Sequence, residues 1–414
     1  MKPKAVLAYC REKGIRAFDL RYVDLMGQWR HVSFPVSSLT ENVFEDGIGQ
    51  EVALMPRSAE PLYAVLIPDS EANYLDPFTE HPTLVLAASA QDVVHRQESD
   101  LDSRFILSQA LRYLQSTGIA DEVLVRTALR YEAASLEPAQ GGGGCDGALP
   151  EMDHQFLTRG QIVNFALDAG LNVDRHLIAP CGSSEIALRS SPVFEAADDA
   201  MMLKYLIANC LSQGSRPPGG GNFFRETGLG ETGRLQGAWA SCQWSFIRNS
   251  EPVFTDDTYH GISELGLHAQ GGLIKHSVVL SGIYLLAICD PRSVTYPFAN
   301  SSATQNARSI CREVRSPNAP RETVIEINAI PSLANYHLAY AATIMAMMDG
   351  VQNKYLPQQL LDGTTVNGLA DELHVWKREH AAETLDSDWE FLNRGEVFGE
   401  NVLHWIREKV RGAR

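Results

Sequence analysis

The sequence has no CxxC pair, and its seven cysteines (Cys10, Cys145, Cys181, Cys210, Cys242, Cys289 and Cys311) are scattered and odd in number. A zinc knuckle or a disulfide framework is therefore not expected. It has no excess of basic charge. A net charge of −16 disfavours an electrostatic grip on DNA, RNA or an anionic membrane surface. Long apolar runs are missing too. The longest, near Val278 to Cys289, is too short to span a bilayer and reads as a core helix. Met1 to Gly14 carries charge but no apolar stretch, so no signal peptide is expected and the location implied is cytoplasmic. There are no repeats, no P-loop and no HExxH. With 21% charged residues, and with Gly and Pro numbering 32 and 20, the composition suits neither a disordered chain nor a fibre.

What remains is a chain of 414 residues, 44% hydrophobic, long enough for a large core in two domains. Residues 1 to about 95 alternate in strand fashion. Ala17 to Asp24 runs into a Met26-Gly27-Gln28 turn, Trp29 to Pro35 alternates again, and Thr83 to Ala88 forms a further apolar run. From Asp100 the period changes. Asp102-Ser103 caps a helix from Arg104 to about Gln115, with Ile106, Ala110, Leu111 and Leu114 on one face. Long helices are expected at 195–212, 262–288, 336–353 and 389–411, and strands at 122–132, 172–179, 236–247 and 322–329. The fold class is α+β: a small N-terminal sheet domain (1–99), then a larger domain (100–414) with an antiparallel sheet and outer helices. Gly141 to Gly144 and Pro217 to Gly221 read as loops. Gly228-Leu229-Gly230-Glu231-Thr232-Gly233 matches GxGxxG in letters, but it follows a loop and precedes a strand, the wrong setting for a dinucleotide.

Several stretches resemble the glutamine synthetase family, in that family's order. Phe18-Asp19-Leu20-Arg21 through His31-Val32 is similar to its opening strand pair. Val65-Leu66-Ile67-Pro68-Asp69 with Leu75-Asp76-Pro77-Phe78 resembles "LMPD…DPF", and Tyr113-Leu114 through Asp121 resembles "YL..TGIAD". Gly271 to His276 resembles "GGIIKH", Ala342 to Lys354 resembles "ALLMAGLDGIKNK", and Glu390-Phe391-Leu392 with Val397-Phe398 resembles "EFL…VF". The resemblance covers nearly the whole chain. It implies a β-grasp-like N-terminal domain, a curved antiparallel sheet, and a homo-oligomeric ring stacked on a second. In such a ring the neighbour's N-terminal domain completes each site. It also implies ATP and Mg²⁺ as cofactors. Two divalent cations on carboxylates and a His would carry the charge of the transferring phosphoryl group, with arginines on phosphate and substrate carboxylate.

Position by position, much of that equipment is replaced. The "EPEF" glutamates become Ala128 and Arg130, and Arg130 puts a cation where a cation should bind. Glu132 shares Arg130's face, where a fixed polar pair is favoured over a metal ligand. In Arg175 to Glu185, aligned with "HHEVATAGQNE", one glutamate becomes Leu177 and the other survives as Glu185. The metal-binding His of "NGSGMHCH" becomes Ser241 and its second His becomes Gln243. Glu326 survives, while the phosphate arginine beyond it becomes Asn328 and the "SYKR" arginine becomes Phe298. Arg315 matches one arginine of "NRSASIRIP"; Arg308 or Arg312 supplies the other only with a shifted register. Glu51 falls near the "FDGSS" aspartate, and the ammonium-site aspartate becomes Tyr63.

The candidate site is thus Glu326, Glu185, Arg130 and Glu51 for chemistry, with Arg315, Asn328, Ser183, Ser184, Ser241, Gln243 and His176 for substrate. Glu185 and Glu326 are the only surviving metal ligands, and weak ones. Either could instead pair with Arg130 or Arg315. Cys181 and Cys242 read as buried thiols, His176 being the only local base. Three readings stay open. One is a rebuilt enzyme acting on an amine or amino-acid-type small molecule. The second is a non-catalytic pseudoenzyme. The third is an ATP-dependent γ-glutamyl amide ligase, which needs the lost ligands. Polar replacements outnumber apolar ones, which favours the first.

Overall fold

The computed structural model describes residues 2–55, 62–131, 153, 155–179, 183–214, 239–256, 261–287, 311–316, 319, 321–357 and 378–412. Glu132, Cys145, Cys181, Cys289, Phe298, Arg308, the three glycine stretches and the side chain of Arg312 lie outside the described residues.

The fold is α+β, with two sheets. The first follows helix α1 (Pro3–Glu12) and contains β1 (Ala17–Val23), β2 (Trp29–Pro35), β3 (Ile48–Val52), β4 (Leu62–Leu75) and β5 (Thr83–Asp92), with the short helix α2 (Val43–Asp46) before β3. Its order is β2-β1-β5-β4-β3, with β1 and β5 parallel at its centre and the other pairs antiparallel. The β1–β2 turn forms where the sequence places it. Gly27 takes φ +74, and any Cβ there would press on the backbone of Asn335, so glycine serves both the turn and the close approach.

The second sheet contains β6 (Glu122–Tyr131), β7 (Val173–Ile178), β8 (Ser184–Leu188), β9 (Ser191–Pro192), β10 (Trp239–Arg248), β11 (Glu251–Pro252), β12 (Cys311–Arg315) and β13 (Thr323–Pro331). Its main path runs β12-β13-β10-β6-β8-β7, antiparallel throughout. Helices α3 (Ser103–Thr117), α4 (Phe156–Asp168), α5 (Val193–Gly214), α6 (Glu264–Lys275), α7 (Ser277–Tyr284) and α8 (Tyr336–Asn353) accompany it. Asp102 caps α3 as the sequence predicts, one oxygen accepting from Arg104 N–H and the other from Ala90 N–H.

Helix α8 is buried from Tyr336 to Gly350 and forms the spine behind the sheet. Tyr340 meets Trp244 edge-on at 4.9 Å and shares a 2.6 Å hydrogen bond with Thr127. Where α6 crosses α8, a Cβ on Gly272 would strike Ala346 O and one on Gly350 would strike His268 O. The glycines of both motifs therefore let the two backbones touch.

Two expected helices are broken. The one expected over 262–288 ends at Lys275 and restarts at Ser277, because His276 leaves helical geometry to bond two carboxylates. The one expected over 389–411 splits into Glu390–Asn393 and Glu400–Arg411. Gly395, at φ +64 against the Tyr113 ring, turns the chain between them.

Helix α5 clasps the first sheet to the rest of the fold. Lys204 of α5, 9% exposed, donates to the carbonyls of Gly27 at 2.7 Å, Leu333 at 2.8 Å and Ala334 at 3.4 Å. Asn335, which caps α8, donates its side-chain N–H to Asp24 O. Arg21 of β1 bonds Asp19, Asp76 and Tyr74 while its guanidinium lies 4.4 Å from the Tyr205 ring.

Candidate functional site

The register of the second sheet decides which side chains share a face, because directly opposed residues project the same way and successive residues alternate. Thr127 and Cys242 meet Tyr340, so their face is the helix-packed one. Arg126, Ala128 and Arg130 of β6 project to the other, polar face. The pairings Gln243↔Arg126, Ser241↔Ala128 and Arg130↔Glu185 then place Gln243, Ser241 and Glu185 there as well. Gln243↔Glu326 adds Glu326, and Leu177↔Glu185 adds Leu177. The positions singled out on four separate segments therefore meet on one face of five neighbouring strands.

Each surviving carboxylate on this face is engaged. Glu185, 5% exposed, accepts from Arg130 Nε at 2.8 Å and has Arg175 Nη2 at 3.6 Å from its other oxygen. Glu326 accepts from Ser241 Oγ at 2.7 Å and from Gln243 Nε2 at 3.4 Å. Asn328 sits in a bulge: Ala240 pairs with Ile330 and Cys242 with Ile327, so Ser241 faces both Asn328 and Ala329. Across β12, Arg312 is the register partner of Glu326.

Other candidates lie elsewhere. His176 and Ser184 occupy the helix-packed face, as partners of Ile186 and Tyr131. There Arg159 of α4 is 1% exposed; it donates to Ser184 Oγ at 3.1 Å and pairs with Asp153. His176 lies 5.6 Å from the Phe156 ring. Its pKa is lowered, first by burial and then by the charge of Arg159. Ser183 is buried just before β8, its carbonyl accepting from Ala179 N–H. Arg315 donates to Arg321 O and Thr323 Oγ1 and lies against Gly261, so it does not pair with Glu326. Glu51 is exposed on β3, the edge strand of the first sheet, opposite Tyr63.

Two features of the polar face escape sequence reasoning. Arg126 pairs with Asp174 at 2.6 Å, and Arg175 is the second cation on Glu185. The spacing of Arg126 and Arg130, four apart on one strand, would have marked the first as a face-mate. Asp174 carries no such signal, because a register shift between Val173 and Arg175 re-aims it. Burial pushes the Cys242 thiol up to about 12, so it is no thiolate nucleophile. Among the described residues, no group of three or more His, Cys, Asp or Glu could hold a metal ion. No helix among them is long and apolar enough to cross a membrane.

A family model described as "Glutamine synthetase, catalytic domain" matches residues 100–411. The glutamine synthetase of Methylococcus capsulatus is 28% identical over 453 residues, covering 97% of this chain and 94% of that protein. That of Aquifex aeolicus is 25% identical, covering 98% and 94%. Among solved structures, Plasmodium falciparum glutamine synthetase superposes with a TM-score of 0.77 at 16% identity, covering 99% of this chain and 95% of that one. A structure described as a GmaS/ADP complex gives 0.73 at 19% identity, covering 97% and 94%. At those identities the structural likeness shows the fold.

Proposed function

The chain belongs to the glutamine synthetase family, and we propose that its site has been rebuilt to act on an amine or amino-acid-type small molecule without the two-cation clamp of glutamine synthesis. The observation that carries this reading is the Arg130–Glu185 pair at 2.8 Å. A guanidinium occupies one expected metal-ligand position and neutralises a carboxylate at another. A divalent cation there would meet a fixed positive charge and a carboxylate already engaged. The rest of the donor set agrees. Ala128 and Leu177 offer no ligand atom, and Ser241 spends its hydroxyl on Glu326. These residues do not suit a two-cation clamp, so no step of this reading runs through a metal ion.

The polar residues that remain favour a working pocket over a dead one. Ser241, Gln243 and Glu326 form a bonded group, whereas a site under no demand would more simply fill with apolar side chains. The resemblance adds a homo-oligomeric ring, the exposed Glu51–Tyr63 edge reaching a neighbour's site, in a cytoplasmic protein. The test is direct. Purified protein given glutamate, ammonia, ATP and Mg²⁺ forms no glutamine above background. Robust magnesium-dependent turnover would sink the reading in favour of an ordinary ligase. Light scattering at micromolar concentration reads the ring, and a monomer would refute it.

A further inference from the structure

We infer that Arg130 and Arg175, set on either side of Glu185, form a metal-independent site for an oxyanion, the carboxylate or phosphate group of a small molecule. The inference rests on the rebuilt-site reading above and names the class of ligand.

One carboxylate, Glu185, stands between two guanidiniums: Arg130 Nε is 2.8 Å from Oε2 and Arg175 Nη2 is 3.6 Å from Oε1. The trio carries a local charge of about +1, since arginine stays protonated throughout the accessible range. The adjoining Arg126–Asp174 pair at 2.6 Å cancels itself, and Glu326, two strands from Arg130 on the same face, is held by the neutral Ser241 and Gln243, so the surplus belongs to the trio and not to the whole face. The chain's net charge of −16 repels anions at long range, so capture rests on this short-range positive spot.

Arg130 meets Glu185 through Nε, and its two Nη groups make no hydrogen bond to the described residues. The edge that forks a carboxylate or phosphate is therefore left over. Glu185 is 5% exposed and fixes the guanidinium plane, whereas Arg130 is 29% exposed and Arg175 51%, so both cations can be reached. Ser332 Oγ donates to Arg130 O at 2.8 Å and holds the end of β6. Ala128 and Leu177 border the spot on the same face. Their apolar surface keeps water from screening the pair fully.

The experiment is titration calorimetry on the intact protein in EDTA, with inorganic phosphate and L-glutamate as separate probes. At least one binds, with an affinity that falls as salt rises, and which one binds separates a phosphate-bearing from a carboxylate-bearing ligand. Arg130→Lys keeps a charge beside Glu185 but lacks the fork, and weakens binding about tenfold, the loss of one hydrogen bond to a charged group. Arg175→Ala weakens it several-fold at an unchanged melting temperature, because its side chain is half exposed. The inference is overturned if neither probe binds, if both variants bind as the wild type does, or if binding appears only when Mg²⁺ is added. An absence of anion binding together with an absence of glutamine synthesis would sink this inference and leave the rebuilt-site reading intact. Magnesium-dependent glutamine formation would sink the reading itself.

Discussion

Replacing His276 tests a buried ionic node of the fold. The imidazole sits at the break between α6 and α7, 3% exposed. Nε2 lies 2.9 Å from Asp349 on α8 and Nδ1 lies 2.8 Å from Asp388, while the ring stacks on Phe391 at 3.8 Å. A neutral imidazole has one N–H and can serve one of these carboxylates; only the imidazolium donates to both. Burial by itself would lower its pKa. The hydrogen bonds the ring donates to Asp349 and Asp388, and then the charges of those carboxylates, outweigh burial and raise it. The folded pKa therefore lies above the unfolded value. The stabilisation is complete below about pH 6.5 and is lost as pH rises through the folded pKa. Removing one member of a buried ion pair costs about 3 to 5 kcal/mol. Asp349 keeps Arg394 at 2.5 Å and Asn353 at 2.9 Å, and Asp388 is 22% exposed, so the lower end applies. At about 2 °C per kcal/mol for a large domain, His276→Gln should melt about 6 °C below the wild type at pH 6. That gap should narrow by pH 9, as the wild type loses its own imidazolium. Thermal melts of both proteins at the two pH values decide it. A gap that stays constant or widens with pH would show that the ring is held by packing on Phe391 and not by charge.

Two other substitutions probe the frame around the site. Lys204→Met removes a buried amine, its pKa lowered to about 7 by burial, from three backbone carbonyls and should cost about 3 kcal/mol. Because those carbonyls belong to the β1–β2 turn and the loop before α8, limited proteolysis should cut the N-terminal sheet first, and uniform resistance would argue against the clasp. Asp199 on α5 has its pKa raised to about 7, by burial first and then by Asp198 and Glu195. Folded protein keeps a proton that unfolded chain loses from about pH 4 upward, so stability falls as pH rises toward 7. Asp199→Asn should then raise the melting temperature at pH 8 and change it little at pH 4, and an equal effect at both would refute the assignment.

Much of the frame is dictated locally, and so can be read from the sequence. The Asp102 cap, the Met26-Gly27-Gln28 turn, the period of α8 and the strand over 122–131 depend on side-chain chemistry within a few residues of themselves. Alternation along β6 was enough to put Arg130 and Ala128 on a common face. That Ser241, Glu185 and Glu326 join them was expected from family likeness, and it is antiparallel pairing between distant strands that brings them there. What the sequence could not supply was partnership. Arg130 had two candidate partners in sequence, Glu132 and Glu185, and it is the fold that sets Glu185, 55 residues away, against it. Arg175 was one letter in a motif until register set it beside the same carboxylate. His176 and Ser184 read as pocket residues, but a period of two turns them to the helix-packed face. The broken helix at His276 has the same origin: its two carboxylates arrive from positions 73 and 112 residues further along the chain. Propensity acts over a turn or two of backbone. Charge pairing and hydrogen bonding act over a few ångströms of space, and only the folded chain decides which residues share that space.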